Sequence, residues 1–130
     1  MSNLRKVLVR KQNEDFQVVE TKTLNLEYLQ SQVGGFIELV SWFEDLNNLG
    51  IDMWINEEGK LIEDLKTTFI VVDNNGEVVD AIFGDVVFTS TDMEGNTIGL
   101  NDIQIQKIKK ILGQQVGVTS NGSIAHIIKM

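Results

Sequence analysis

Two short apolar runs, inside Arg5–Arg10 and Phe16–Thr21, flank the polar segment Gln12-Asn13-Glu14-Asp15 and predict an N-terminal hairpin whose turn lacks a glycine. Thr23 is a candidate cap for a helix from about Leu24, with Leu26, Leu29 and Val33 on one face and Gly34 as its stop. Phe36–Phe43 reads as a strand, with Phe36, Glu38, Val40 and Trp42 on one side and Ile37, Leu39, Ser41 and Phe43 on the other. Ile51–Asn56 predicts a further strand, ending at Glu57-Glu58-Gly59. Three hairpins are expected from Ile51 onward: the first turns at Glu57-Glu58-Gly59, the second pairs Phe69–Asp73 with Glu77–Phe83 around Asn74-Asn75-Gly76, and the third pairs Asp85–Ser90 with Asn96–Leu100 around Asp92-Met93-Glu94-Gly95. Lys60–Lys66 has no clear period.

Asn101 opens the best-marked helix. Gln104 stands three residues on, as a capping box requires, and Ile105, Ile108, Ile111 and Leu112 form its apolar side. Lys107, Lys109 and Lys110 suit the negative end of the dipole, and Gly113 ends the helix. Val116–Thr119 and Ser123–Ile128 then predict a last hairpin around Ser120-Asn121-Gly122. The expected fold is α+β: a mostly antiparallel sheet built from hairpins, with two helices at about 24–33 and 102–112. Residues 1–130 read as a single domain, with 113–130 as a C-terminal hairpin extension.

Composition narrows the function classes. With 130 residues, 42% of them apolar and 23% charged, the chain can build a true core. The absence of cysteine excludes disulfides, thiolate metal sites and thiol catalysis. Val7-Leu8-Val9 is too short for a secretory leader, and no apolar run nears the ~20 residues of a membrane span, so the cytoplasm is the expected compartment. The net charge of −8 is unevenly spread. Residues 13–100 hold 18 acids against three bases, whereas residues 1–12 carry four bases and no acid. Residues 67–100 carry Asp73, Glu77, Asp80, Asp85, Asp92 and Glu94 and no base. Such a body is expected to repel nucleic acid; a solvated, solubilising face is its first reading, and a surface for a basic protein groove is the alternative.

No motif supplies a catalytic constellation. His126 is the sole histidine and sits in a predicted strand, where a partly buried structural role fits better than a triad or a zinc site. Asp92–Asn96 alternates oxygen ligands but lacks the downstream glutamate of a calcium loop, so it reads as a turn. Gly34-Gly35 is not followed by a Gly-Lys-Ser/Thr and is no phosphate loop. Gly84-Asp85 marks a bulge or a sharp bend. Trp42 and Trp54 read as core, with a pocket or interface as the alternative. No cofactor and no metal are expected.

Four segments carry a family resemblance: Val33-Gly34-Gly35-Phe36-Ile37-Glu38-Leu39-Val40, Asn56-Glu57-Glu58-Gly59-Lys60-Leu61, Ile82-Phe83-Gly84-Asp85-Val86-Val87-Phe88, and Gly99-Leu100-Asn101-Asp102. In that order, over about residues 5–112, the chain resembles an uncharacterised family of small proteins, a domain of unknown function found in Gram-positive bacteria and their phages and plasmids. It departs from the pattern after Leu61, where the family tends to carry a proline-containing loop and this chain has Ile62-Glu63-Asp64-Leu65. The resemblance implies a mobile-element setting and no known activity.

The leading expectation is a non-enzymatic accessory protein that binds a host protein with a basic groove, such as a component of a defence system. A nucleotide-binding module using Trp42 and Trp54, with Arg5, Arg10, Lys60 and the lysines of the last helix as its bases, is one alternative; an uncharacterised domain with a structural or interaction role is another, and a carboxylate enzyme ranks lowest. The candidate binding residues are Glu38, Trp54, Asn56, Glu57, Glu58 and Asp85, with no catalytic residue. The apolar hairpin of Val116, Val118, Ile124, Ile127 and Ile128 offers a surface for a homodimer. No direct nucleic-acid or membrane partner is expected.

Overall fold

A computed structural model describes residues 4–119 and 122–129. Its strands are β1 (Arg5–Arg10), β2 (Phe16–Thr21), β3 (Ile37–Leu39), β4 (Ile51–Asn56), β5 (Thr67–Val72), β6 (Val78–Phe83), β7 (Val86–Thr91), β8 (Thr97–Ile98), β9 (Val116–Val118) and β10 (Ile124–Lys129). Its helices are α1 (Leu26–Val33), α2 (Glu44–Asn47) and α3 (Asp102–Leu112), with a 3-10 turn at Gly59–Leu61. The fold is α+β, dominated by strands in mostly antiparallel pairs.

The strands form two sheets rather than one. The first has the order β2-β1-β7-β4-β3, with β8 paired to β7, and the second has the order β6-β5-β10-β9. The chain passes from the second sheet to the first at Gly84-Asp85, between β6 and β7. Gly84 takes φ +88°, and its carbonyl accepts from the Thr68 hydroxyl at 2.9 Å. The bend read from sequence is thus a corner between sheets. β10 lies inside the second sheet and pairs with β5 in parallel, His126 opposite Phe69 and Ile128 opposite Val71.

Local signals explain most elements. Asn13 adopts φ +57° and fills the left-handed place in the β1–β2 turn that a glycine would otherwise take. Gly76 and Gly95 close the β5–β6 and β7–β8 turns. Asp92 accepts from the backbone N–H groups of Glu94 and Asn96, each at 2.9 Å, so its carboxylate serves the turn. Those bonds, from Asn96 above all, hold its pKa below the usual carboxylate range. α3 carries the full Asn101–Gln104 capping box.

Three sequence readings need correction. The cap of α1 is Asn25, not Thr23, and its Oδ1 accepts from the Tyr28 N–H at 2.9 Å; asparagine is the better cap and stands closer to the apolar face. The strand expected over Phe36–Phe43 stops at Leu39. Phe43 and Leu46 instead point into the core three residues apart, so the chain turns into α2 with Glu44 and Asp45 in its first turn. Glu57-Glu58-Gly59 does not close a hairpin, because β4 pairs with β3 and β7.

One core lies between the sheets. Leu8, Met53 and Phe88 from the first meet Phe69, Val71 and Ile128 from the second, closed by Ile105, Ile108 and Leu112 of α3. A smaller cluster packs Leu29 and Val33 of α1 on Val7, Val9 and Val87, with Trp54 and Tyr28 at its margin.

Arg10 crosses between the sheets and is fully buried. Its Nε donates to His126 Nδ1 at 2.9 Å, and it also donates to the carbonyls of Lys11 and Ile124. Burial lowers the guanidinium pKa, while Asp15 and Asp85 pull it back up. His126 is held below its ordinary value first by burial and then by the Arg10 cation, against an opposing pull from Asp15.

Two predictions follow from this packing. The unfolded chain takes up the His126 proton at a higher pH than the folded one does. Stability is therefore full above about pH 6.5 and falls as the pH drops through that value, by at most about 1.4 kcal/mol per unit for one proton. Urea unfolding at pH 7.5 and 5.5 will show this loss, and His126→Gln, which keeps an acceptor for Arg10, will flatten it. Among the described residues the buried Tyr28 hydroxyl has no hydrogen-bond partner, and burial raises its pKa. Tyr28→Phe will leave the urea midpoint unchanged or raise it by about 1 kcal/mol of stability, since no bond is lost.

Candidate functional site

The most enclosed hollow of interest is a cleft of about 150 Å³ between the β3–β4 end of the first sheet and the edge strand β6 of the second. Glu38 of β3, Trp42 from the following loop, Glu57 beyond β4, Lys60 of the 3-10 turn and Asp80 of β6 line it, over an apolar floor that includes Ile55 and Ile82. Three acidic residues from three elements thus line the cleft together with one lysine. Lys60 Nζ donates to Asp80, and this bond, more than any other cause, holds the Asp80 pKa below the usual range. Trp42 is half-buried and stacks on Phe43, with ring centroids 5.9 Å apart and planes 14° apart.

Asn56 fixes the cleft's shape. It is buried; its Nδ2 donates to the Val33 carbonyl at 3.1 Å and its Oδ1 accepts from the Glu58 N–H at 2.8 Å. The end of α1 is thereby tied to the turn after β4. Gly59 lets that turn lie flat on β6, because a Cβ there would stand 2.9 Å from the Phe83 carbonyl oxygen.

The structure divides the residues singled out from sequence. Glu38, Asn56 and Glu57 meet at this cleft. Asn56 also borders, with Glu58, Phe36 and Ile62, a shallower hollow beside Gly34-Gly35. Trp54 lies elsewhere: its side chain joins the α1 cluster and its indole N–H donates to the Thr89 hydroxyl at 2.8 Å. Asp85 sits at the sheet corner, where it accepts from the Gln12 N–H at 2.9 Å. Lys60 stood in the sequence only as a base for the nucleotide reading and Asp80 only as one of the acids of residues 67–100, and neither was among the candidate binding residues. The one local sign was an aspartate in the middle of the apolar run Val78–Phe83.

Other chemistry has less support. His126 Nδ1 is occupied by the Arg10 donor, which leaves that nitrogen unable to take a proton as a general base while the bond holds. Among the described residues no group of three His, Asp or Glu side chains is placed to hold a metal ion. No helix among them is long and apolar enough to cross a membrane.

The architecture and the cleft describe a small α+β domain with an acid-walled, tryptophan-sided hollow. The chain belongs to the family described as a domain of unknown function, DUF3846, whose sequence profile matches residues 4–113. Neither a curated protein nor a solved structure gives a significant match.

The approach of Gly59 to β6 has a measurable consequence. Gly59→Ala will force the 3-10 turn off Phe83 and cost about 1–3 kcal/mol in urea unfolding, as overpacking against backbone does. Substituting the exposed Lys60 by alanine will cost less than about 1 kcal/mol, because the pair it forms with Asp80 is solvated.

Proposed function

We propose that the protein is a non-enzymatic binding module that holds a protein partner through that partner's basic side chains, with the Glu38–Trp42–Glu57–Asp80 cleft as the anchor point. In the mobile-element setting that the resemblance implies, the partner is a host protein, such as a component of a defence system. One observation carries the reading. The lining brings Glu38, Glu57 and Asp80, the last already paired with Lys60, together with Trp42 around a space the size of a single side chain. A guanidinium or ammonium group suits it on both counts: it pairs with the carboxylates and lies against the ring. The acidic stretch of residues 13–100 extends the same sign of charge over the body of the domain, which favours encounter with a basic surface.

The nucleotide reading has less support. Two of its bases are committed: Arg10 is buried on His126, and Lys60 is paired with Asp80. The cleft is also about half or less of the 300–1,000 Å³ usual for a small-molecule site.

Affinity capture from a nuclease-treated host lysate tests the proposal, run in parallel with wild type and with the Glu38→Gln/Trp42→Ala/Glu57→Gln variant. A basic protein retained by wild type, released as salt rises and held at least ~10-fold more weakly by the variant, is the expected result. Absence of any retained protein overturns the module. Retention that the variant leaves intact moves the anchor away from the cleft.

A further inference from the structure

The β1–β2 turn, the end of α3, β9 and β10 surround a further hollow of about 270 Å³, which shares no residue with the cleft. Glu14 and Asp15 of the turn line it, with Val116 and Ile124 as apolar walls. The Asn13 Oδ1 accepts from the Ile124 N–H at 2.9 Å and so pins the turn, with both acids, against β10. Of the described residues that border the hollow His126 alone is buried, at 4% exposure, and its ring forms the floor.

That floor holds a hydrogen-bond donor without a partner. His126 Nδ1 accepts from Arg10, so the neutral ring carries its proton on Nε2. Burial and the Arg10 cation favour the neutral form and outweigh the opposing pull of Asp15. Among the described residues Nε2 meets no acceptor, and the Tyr28 hydroxyl is the only side-chain polar atom sealed from solvent without a partner. Nε2 is therefore not sealed: it opens on the hollow that its ring borders. Its acceptor comes from outside the chain, as water or as a ligand oxygen that displaces it. A metal ion does not fit, because the protonated Nε2 has no lone pair to offer.

Charge selects the rest of the ligand. Glu14 and Asp15 bring two negative charges and Arg10, bonded to the ring, brings one positive, which leaves −1. One ammonium group cancels this charge, whereas a carboxylate or a phosphate adds to it. One oxygen of Asp15 is held by the Phe16 N–H and one of Glu14 by the Gln17 amide, so each acid keeps a second oxygen for a ligand. We infer that this hollow binds a small primary ammonium compound with a short apolar body and a neutral carbonyl or hydroxyl oxygen a few bonds from the nitrogen. The ammonium pairs with Glu14 and Asp15, the oxygen accepts from His126 Nε2–H, and the body lies between Val116 and Ile124. An amino-acid amide is the simplest such compound, and the free N-terminal residue of a peptide presents the same groups. The inference does not rest on the role proposed for the cleft.

His126 is the sole histidine, so its ring resonances report on this hollow alone. The full chain is titrated with L-valinamide at about pH 7 and followed by long-range proton–nitrogen NMR of the imidazole. The expected result is a ring protonated at Nε2 whose signals shift and saturate, with a Kd on the order of 1–10 mM. N-acetylvalinamide, without the ammonium, and valine, with a carboxylate in place of the amide, will bind at least ~5-fold more weakly. Glu14→Gln/Asp15→Asn keeps the acceptors for Gln17 and Phe16 and will weaken valinamide about as much, with circular dichroism confirming that the variant is folded. Valylalanine amide separates the two sources of this chemistry: tighter binding than valinamide supports a peptide end, and equal or weaker binding supports a free small molecule. Ring signals that stay still up to ~50 mM valinamide, or shifts that the acetylated compound or the variant reproduces in full, overturn the inference.

Discussion

A guanidinium buried between two sheets is the constraint around which this fold is arranged. Moving such a cation out of water costs several kcal/mol unless its donors are used. Arg10 has no carboxylate in direct contact, only the more distant fields of Asp15 and Asp85. It relies instead on a neutral imidazole and two carbonyls. Those partners come from the end of its own strand and from β10, so the first sheet is stable in this form only with the second in place. The residues next to it extend the tie. Gln12 bonds Asp85 at the sheet corner and the N–H of Lys66 before β5, and Asn13 accepts from the Ile124 N–H. Phe16 and Phe69 pack their rings on His126 and exclude water from the junction.

That junction also marks the boundary of what the sequence discloses. Elements defined within a few residues were legible: the β1–β2 hairpin, the turns at Gly76 and Gly95, and α3 with its capping box. Each rests on a signal that travels with its own segment. The separation into two sheets was not legible, because it depends on which way the chain turns at Gly84-Asp85. Nor was the parallel β5–β10 pair, whose members are far apart in the chain. In the sequence Arg10 was a strand-terminal base offered to a nucleotide, and only its contact with His126, 116 positions on, makes it a core residue.

The candidate site shows the same division. Glu38, Asn56 and Glu57 come together because β3 and β4 are neighbours, a relation that the adjacent runs suggested. Trp54 parted from Glu38 through strand parity: on β4 it faces α1, while Ile55, opposite Glu38, faces the cleft, and Asn56, on Trp54's side, reaches the cleft from the end of the strand. Trp42 took its place because the strand expected to contain it ends at Leu39. Asp80 and Lys60 entered from the second sheet and from a turn without periodicity.

The position of β10 bears on how the chain is made. Every strand of the first sheet precedes residue 99, so that sheet can begin to assemble while synthesis continues. The second cannot. Its interior strand is the last element in the order, and until β10 has left the ribosome β5 keeps an unpaired inner edge, while Arg10 keeps its charge without its histidine. During that interval the half-built domain exposes a hydrophobic strand, Thr67–Val72, of the kind that chaperones shield. Vectorial synthesis thus makes β10 the strand on which the second sheet and the Arg10 tie both wait.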